Sequence, residues 1–260
     1  MKEARFPRVM LVVLMVFLLA PFLIILIASF GDNASLRFPP QGFTLQWFRD
    51  ALDQRMFVRG FYLSVQVAVV STLLALLLGV PLAYATSRYN FTGKRLIQVV
   101  ATLPVIVPEL VLGLALLRYL IVATNLPLRP SLILGHTTLL IPYTVRITLA
   151  SLSNLPYDIE QAAISLGATR LETFFKVVLP NIRDGVLTSF VLAFILSFNN
   201  VPVSLFLTGI GVATLPIQML LYMEYNFDPS IAALSTLLIL FSTLVVFITE
   251  RLLGISRAFK

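Results

Sequence analysis

Long apolar runs separated by short polar segments dominate the chain. Val9–Phe30 and Phe61–Thr86 contain no charged residue. Leu96–Ile121 carries only Glu109 and Arg118, and Leu132–Leu152 only His136 and Arg146. Gly185–Leu207 is again uncharged, and Ile231–Leu252 meets charge only at its end, in Glu250 and Arg251. A helix needs about 20 apolar residues to cross a hydrocarbon core of roughly 30 Å, and each run is long enough. The pattern predicts an all-α integral membrane protein with six transmembrane helices, at about 9–30, 61–86, 96–121, 132–152, 185–207 and 231–252. A single transmembrane domain over 1–260 is expected. The first run follows Lys2, Arg5 and Arg8, as a signal peptide does. It exceeds the usual 7–15-residue apolar core of such peptides and no small-residue cleavage site follows, so an uncleaved anchor is expected.

An even number of spans puts both termini on one side. With that side cytoplasmic, the inside holds Lys2, Arg5, Arg8, Arg88, Lys94, Arg95, Arg146, Arg170, Lys176, Arg183, Arg251, Arg257 and Lys260. The outside holds Arg37, Arg49, Arg55, Arg59, Arg118 and Arg129. Basic residues favour the cytoplasmic side, so a multi-pass membrane protein with both termini cytoplasmic is expected. In the outer segment 31–60, Pro39-Pro40-Gln41-Gly42 reads as a turn and Leu45–Leu52 as a short interfacial helix.

Composition agrees with the spans and removes other classes. Of 260 residues 58% are hydrophobic and 12% charged, where a soluble domain carries about a quarter charged. The absence of cysteine excludes disulfides, thiol catalysis and Cys-ligated metals. The net charge of +7 is that of cytoplasmic loops rather than of a nucleic-acid partner.

The segment 153–182, between the fourth and fifth runs, is the longest inward-facing one. Pro156 starts a helix, and Asp158 and Glu160 suit its first turn. Ile159, Ala162, Ala163 and Leu166 share one face, and Gly167 stops the helix. Thr169 with Glu172 three residues later reads as a capping box opening a second helix, which Pro180 closes. A short helix with a small-residue face outside the bilayer suits docking into another protein's groove.

This segment resembles the cytoplasmic E-A-A motif of binding-protein-dependent ABC importer permeases, E-A-A-x-x-x-G-x9-I-x-L-P. Gln161-Ala162-Ala163, Gly167 and Val177-Val178-Leu179-Pro180 fall in register, with Gln161 in place of Glu and Val177 in place of Ile. The resemblance implies the type I ABC importer permease fold, with Asp158–Gly167 as a coupling helix seated in a cleft of an ATPase subunit. Its contact residues would be Asp158, Glu160, Gln161, Ala162, Ala163, Leu166, Gly167 and Pro180, with Glu160 standing in for the charge that Gln161 lacks. No Walker motif occurs, so ATP and Mg²⁺ belong to a separate chain and this one holds no cofactor and no catalytic residue. The implied partners are two ATP-binding subunits, a second and paralogous permease, and an extracytoplasmic solute-binding protein.

The C-terminal third is similar to the spermidine/putrescine permease branch. Leu196-Ser197-Phe198-Asn199-Asn200-Val201-Pro202, Leu215-Pro216-Ile217-Gln218 and Asp228-Pro229-Ser230 carry that similarity, which extends to Gly42-Phe43-Thr44. Asn199 and Asn200 stand where polyamine permeases often carry an Asp pair. Amides offer no countercharge to a polycation, which favours a zwitterionic or neutral amine-derived solute such as 4-aminobutyrate or an opine, beside polyamines. The same two residues also read as amides that bond neighbouring helices. Glu109, following Pro104 and Pro108, is the one carboxylate deep in a span. It reads either as an attractor for an amine in the pathway or as a partner of an Arg or of amides freed by the prolines. His136 has no second ligand nearby in sequence and reads as an interhelical hydrogen bond rather than a metal site. Tyr222, Met223, Glu224 and Tyr225 read as an interfacial aromatic belt or a contact for the solute-binding protein.

Two other classes fit less well. An ion-gradient-driven secondary transporter calls for paired broken helices and buried acids in corresponding halves, and one buried acid without a repeat does not supply them. An intramembrane enzyme calls for clustered His, Asp or Ser groups, which one His and scattered acids do not assemble.

Overall fold

The computed structural model describes residues 5–33, 39–226 and 228–253. Lys2, Arg37, Arg257 and Lys260, assigned above to sides of the membrane, lie outside the described residues, as does the side chain of Arg5. The helices are α1 (Arg5–Ala28), α2 (Gln46–Asp53), α3 (Arg55–Arg88), α4 (Lys94–Ile106) and α5 (Glu109–Leu116). They continue with α6 (Leu128–Ser153), α7 (Tyr157–Ser165), α8 (Arg170–Thr173), α9 (Leu179–Asn181) and α10 (Arg183–Phe198). The last are α11 (Pro202–Phe206), α12 (Leu215–Met223) and α13 (Ser230–Leu253). Two π-helical stretches, Leu117–Ala123 and Phe174–Val178, extend α5 and join α8 to α9.

Among the described residues, four helices are long and apolar enough to cross a membrane unaided: Arg8–Ala28, Arg55–Arg88, Leu128–Ser153 and Ser230–Arg251. Two bent pairs of helices are long and apolar enough when each is taken together, and with each pair as one span the number rises to six. Lys94–Ile106 and Glu109–Ala123 meet at 107°, and Arg170–Asn181 and Arg183–Phe198 at 71°. The third run is therefore not the continuous helix that its hydropathy predicts. Pro108 has no N–H and holds Val107 extended (φ −75°, ψ 132°), so the helix stops and restarts at Glu109. The fifth run is likewise interrupted, between Phe198 and Pro202, and Pro202 opens α11.

The chain falls into two compact units, 1–59 with 218–244 and 60–217 with 245–260. In the first, Trp47 Nε1 donates to Gly31 O at 2.7 Å, and Phe30 and Phe48 pack with ring centroids 5.0 Å apart. These contacts tie α2, the interfacial helix expected near Leu45–Leu52, to the end of α1. Tyr222 donates to Asp228 at 2.6 Å and packs edge-on against Phe57, with centroids 5.2 Å apart. That makes Tyr222 a packing residue of its unit, whereas Tyr225 is exposed. Burial and the Asp228 carboxylate push the Tyr222 hydroxyl pKa upward.

In the second unit two apolar clusters flank a polar seam. One joins Leu63, Val67, Leu132, Leu139, Val203 and Leu207, and the other Ala83, Val145, Leu152, Leu155, Val178 and Ile182. Between α3 and α6, Ser71 donates to Ile133 O at 2.9 Å and Thr144 to Ala75 O at 3.1 Å. Hydrogen bonds of this kind hold helices together where lipid gives no hydrophobic drive. His136 is fully buried, with Nδ1 2.7 Å from Ser197 Oγ and Nε2 2.9 Å from Ser204 Oγ. Both ring nitrogens are thus engaged with hydroxyls of α10 and α11, the interhelical role expected for this residue.

Close approach of α5 to α11 depends on Gly113. A Cβ there would stand 3.0 Å from Pro202 O, 3.2 Å from Val203 Cα and 2.8 Å from Phe206 Cδ2. Backbone atoms cannot yield as a side chain can. Gly113→Val is expected to destabilise the folded protein by about 1–3 kcal/mol, an overpacking cost. A thermal melt of the purified protein in detergent checks this, and an unchanged midpoint would refute it.

Candidate coupling and pathway sites

The segment 153–182 forms the expected helix–turn–helix. The first helix, α7, spans Tyr157–Ser165, with Pro156 just before it and Asp158 and Glu160 in its first turn. It ends in two bonds around a left-handed residue: Gly167 N to Ile164 O at 2.9 Å and Ala168 N to Ala163 O at 3.1 Å, with Gly167 at φ +94°. This is a Schellman end, which glycine adopts without the steric cost of a Cβ. The capping box is also present. Thr169 Oγ1 accepts from Glu172 N at 3.2 Å, and Glu172 Oε2 accepts from Thr169 N at 3.0 Å. Pro180 lies within α9, one residue before the segment ends at Asn181.

The bond from the Thr169 backbone, with Lys176 Nζ at 3.0 Å and the Thr169 hydroxyl, lowers the Glu172 pKa to about 2. A carboxylate with a lowered pKa supports the cap fully above its ordinary value near 4.5, and loses that support as pH falls through about 2. Thr169→Ala removes the hydroxyl but keeps the backbone donor and Lys176, so it is expected to move the Glu172 titration only part of the way toward 4.5, read by carboxyl ¹³C chemical shift.

Helix phase divides the α7 residues. Asp158, Ile159, Gln161, Ala162 and Leu166 are exposed, and Ala163 is half-buried. Leu166, at 90% exposure, is the most prominent apolar group of this segment. Glu160 points the other way and is buried. Its Oε1 accepts from Arg88 Nε at 2.6 Å and its Oε2 from the Tyr84 hydroxyl at 3.0 Å. This corrects the expectation that Glu160 offers its charge to a partner in place of Gln161: the carboxylate is spent on α3 of its own chain. Arg88 and Tyr84 were not singled out by sequence reasoning. A basic residue ending a span reads as membrane topology, and only the spacing of a tyrosine one turn earlier hints at more.

Within the spans, the two helix breaks of the second unit bring Glu109 and Asn200 together. Glu109 is the first residue of α5, at the positive end of its dipole. Its Oε2 accepts from Asn200 Nδ2 at 2.8 Å. Asn200 Oδ1 accepts from Val203 N at 3.0 Å, which satisfies an amide of the first turn of α11. Asn200 is buried and both ends of its amide are engaged. Asn199 diverges from it: that side chain is exposed and bonds back to Ile195 O at 3.1 Å. The pathway candidates thus resolve into a bonded pair, Glu109 with Asn200, and a separate exposed amide. Glu109 is half-buried, with Oε2 oriented by the amide. The arrangement presents a fixed hydrogen-bond acceptor at the kink of a broken span.

Comparison with known proteins gives these features a family. Residues 71–255 match the family described as binding-protein-dependent transport system inner membrane component. The chain is 30% identical over 230 residues to the putrescine transport system permease protein PotI of Escherichia coli K12, covering 86% of this chain and 82% of that one. It is 28% identical over 235 residues to the spermidine/putrescine transport system permease protein PotC of the same strain, covering 90% and 88%. Its fold is similar to that of a bacterial ABC transporter for import of the acidic polysaccharide alginate, with TM-score 0.69, 18% identity, and coverage of 97% of this chain and 96% of that one. The chain belongs to the binding-protein-dependent inner membrane components, the permease subunits of ABC importers.

Proposed function

We propose that this permease forms half of the translocation pathway for a small amine-containing solute, a polyamine or a zwitterion of the 4-aminobutyrate or opine kind. The other half is a second, paralogous permease. An extracytoplasmic solute-binding protein delivers the solute, and two ATP-binding subunits, which carry the ATP and Mg²⁺, drive the cycle. The observation that carries the reading is the Glu109–Asn200 pair, a carboxylate with one oxygen held by an amide, where the break before Glu109 meets the interruption between α10 and α11. A carboxylate in such a place attracts an ammonium group and compensates its loss of water. The names of the similar permeases, for putrescine and for spermidine with putrescine, favour the same chemistry. Family membership leaves no place for the ion-gradient alternative.

Coupling runs through α7. Its exposed face, Asp158, Ile159, Gln161, Ala162 and Leu166, suits a cleft in an ATPase subunit. ATP binds the closed ATPase pair more tightly than the open one, and that difference shifts the permeases between inward- and outward-facing states. The distribution of basic residues supports cytoplasmic placement of α7 and of both termini.

The test is uptake of labelled putrescine and of labelled 4-aminobutyrate by cells with and without this gene. Loss of either on deletion is the expected result, and which one is lost selects the solute class. Uptake of both surviving deletion would overturn the solute reading.

A further inference from the structure

Arg88, the last residue of α3, turns its charge away from water. Its side chain is 12% exposed and that of its partner Glu160 2%. Beyond the Glu160 bond, Nη2 donates to Leu152 O at 3.2 Å, in the last turn of α6, and to Leu155 O at 2.9 Å, just past its end. The ring of Tyr157, the first residue of α7, lies 5.6 Å from the guanidinium carbon. Tyr84, one turn earlier on α3, holds the second oxygen of Glu160. One guanidinium therefore fastens three elements: the cytoplasmic ends of α3 and α6, and the helix α7. The planar fork makes this possible, since its donors diverge in one plane while an ammonium on the same stem is a single point.

Burying a charged pair contributes little net stability compared with a well-packed apolar pair. The geometry does contribute registration. Without Arg88, the Tyr84 hydroxyl still holds Glu160 at 3.0 Å, but α7 is joined to the end of α6 only by Asn154, Leu155 and Pro156, and its other end runs into the left-handed turn at Gly167. Those are the two joints at which a displacement of α7 would dissipate. With Arg88 in place, a displacement of α7 carries the ends of α3 and α6 with it.

We infer that Arg88 is a positioning residue for energy coupling, locking α7 through Glu160 to the ends of α3 and α6 so that they move as one body. This rests on the reading of α7 as the ATPase-contacting helix, and it assigns Glu160 an internal role in place of a contact with the ATPase.

The test uses the assembled transporter in proteoliposomes, with labelled putrescine and, in parallel, 4-aminobutyrate, and reads ATP hydrolysed per solute moved. Arg88→Gln is expected to raise that ratio about tenfold or more, with uptake falling while hydrolysis persists, a change within the range of coupling free energies. Arg88→Lys keeps the charge without the fork and is expected to fall between. The chain has no cysteine, so Arg88→Cys with Glu160→Cys can be bridged by a bis-methanethiosulfonate, which joins the two thiols through disulfides that a reductant cleaves. Bridging is expected to restore the ratio and reduction to undo it, which a role in stability alone would not produce. Should Arg88→Gln fail to assemble, the lysine variant and the bridged pair carry the test. Leu166→Cys probes the underlying reading, by labelling with a maleimide with and without the ATPase. Protection of that cysteine together with an unchanged ratio in the Arg88 variants would overturn the inference and leave the docking intact. Labelling that ignores the ATPase would overturn both.

Discussion

Gly167→Pro is expected to detach the ATPase from this permease and abolish ATP-driven uptake. Gly167 sits at φ +94°, and proline is fixed near −65°. The substitution also removes the N–H that bonds Ile164 O at 2.9 Å, and it turns away the chain that places Ala168 N on Ala163 O. The last turn of α7 then unwinds, and with it the position of Leu166, the group that projects furthest. Two milder variants calibrate the effect. A Cβ at this position meets nothing within 4 Å, so Gly167→Ala bears only the left-handed backbone cost of about 1–2 kcal/mol. It should keep the ATPase at reduced occupancy. Asn tolerates the left-handed region, and Gly167→Asn should be nearly silent. Co-purification of the ATPase with each variant, beside uptake, reads the series. If the proline variant retained both ATPase and transport, α7 would not be the coupling helix. A loss graded by backbone strain, Asn before Ala before Pro, would show that geometry at the helix end, and not side-chain chemistry, carries the contact.

How far the sequence reached can be argued from individual residues. Local signals were legible because they act over a few residues. Gly167 as a helix stop, and Thr169 with Glu172 as a capping box, both appear where the spacing placed them. The interruption of the third span was less legible. A hydropathy window over Leu96–Ile121 averages across Pro104 and Pro108, although the prolines themselves mark the place where the chain bends by 107°. The break after Phe198 had no apolar deficit to announce it, and only Pro202 preceded by two amides marks it. Least legible was the direction of Glu160. From α7 alone, the apolar face Ile159, Ala162 and Leu166 sets the phase without telling whether that face meets its own chain or a partner. Only a buried Arg88, far away in sequence, decides that Glu160 takes the inner side. The Glu109–Asn200 pair belongs to the same class: each residue was a candidate by itself, and their meeting follows from the packing of α5 on α11, for which Gly113 leaves the room.

Glu109→Gln is expected to lower uptake of labelled putrescine by at least tenfold while leaving the assembled protein as stable as before. Glutamine keeps the shape and an oxygen that can accept from Asn200 Nδ2, so the bond at 2.8 Å is retained and the charge alone is removed. An unpaired charge at membrane depth costs about 2.5–3.5 kcal/mol on insertion scales, which corresponds to roughly 70-fold or more in an equilibrium. Water in the pathway lowers that penalty, so tenfold is the smaller effect expected. Glu109→Ala is the less informative variant, since it also strands the Asn200 amide and mixes packing with charge. Solute class separates further at Asn199, which is exposed and free of Glu109. A second carboxylate there, in Asn199→Asp, should favour putrescine, with two ammonium groups, over 4-aminobutyrate, whose own carboxylate it repels. Initial uptake rates for the two labelled probes, compared across wild type, Glu109→Gln and Asn199→Asp, read both effects. Unaltered rates in Glu109→Gln would confine Glu109 to holding Asn200 and would place the solute elsewhere. A fall in both probes with Glu109→Gln, and a shift of their ratio with Asn199→Asp, would mean that the ammonium group common to them meets Glu109 and that the far end of the solute is read near Asn199.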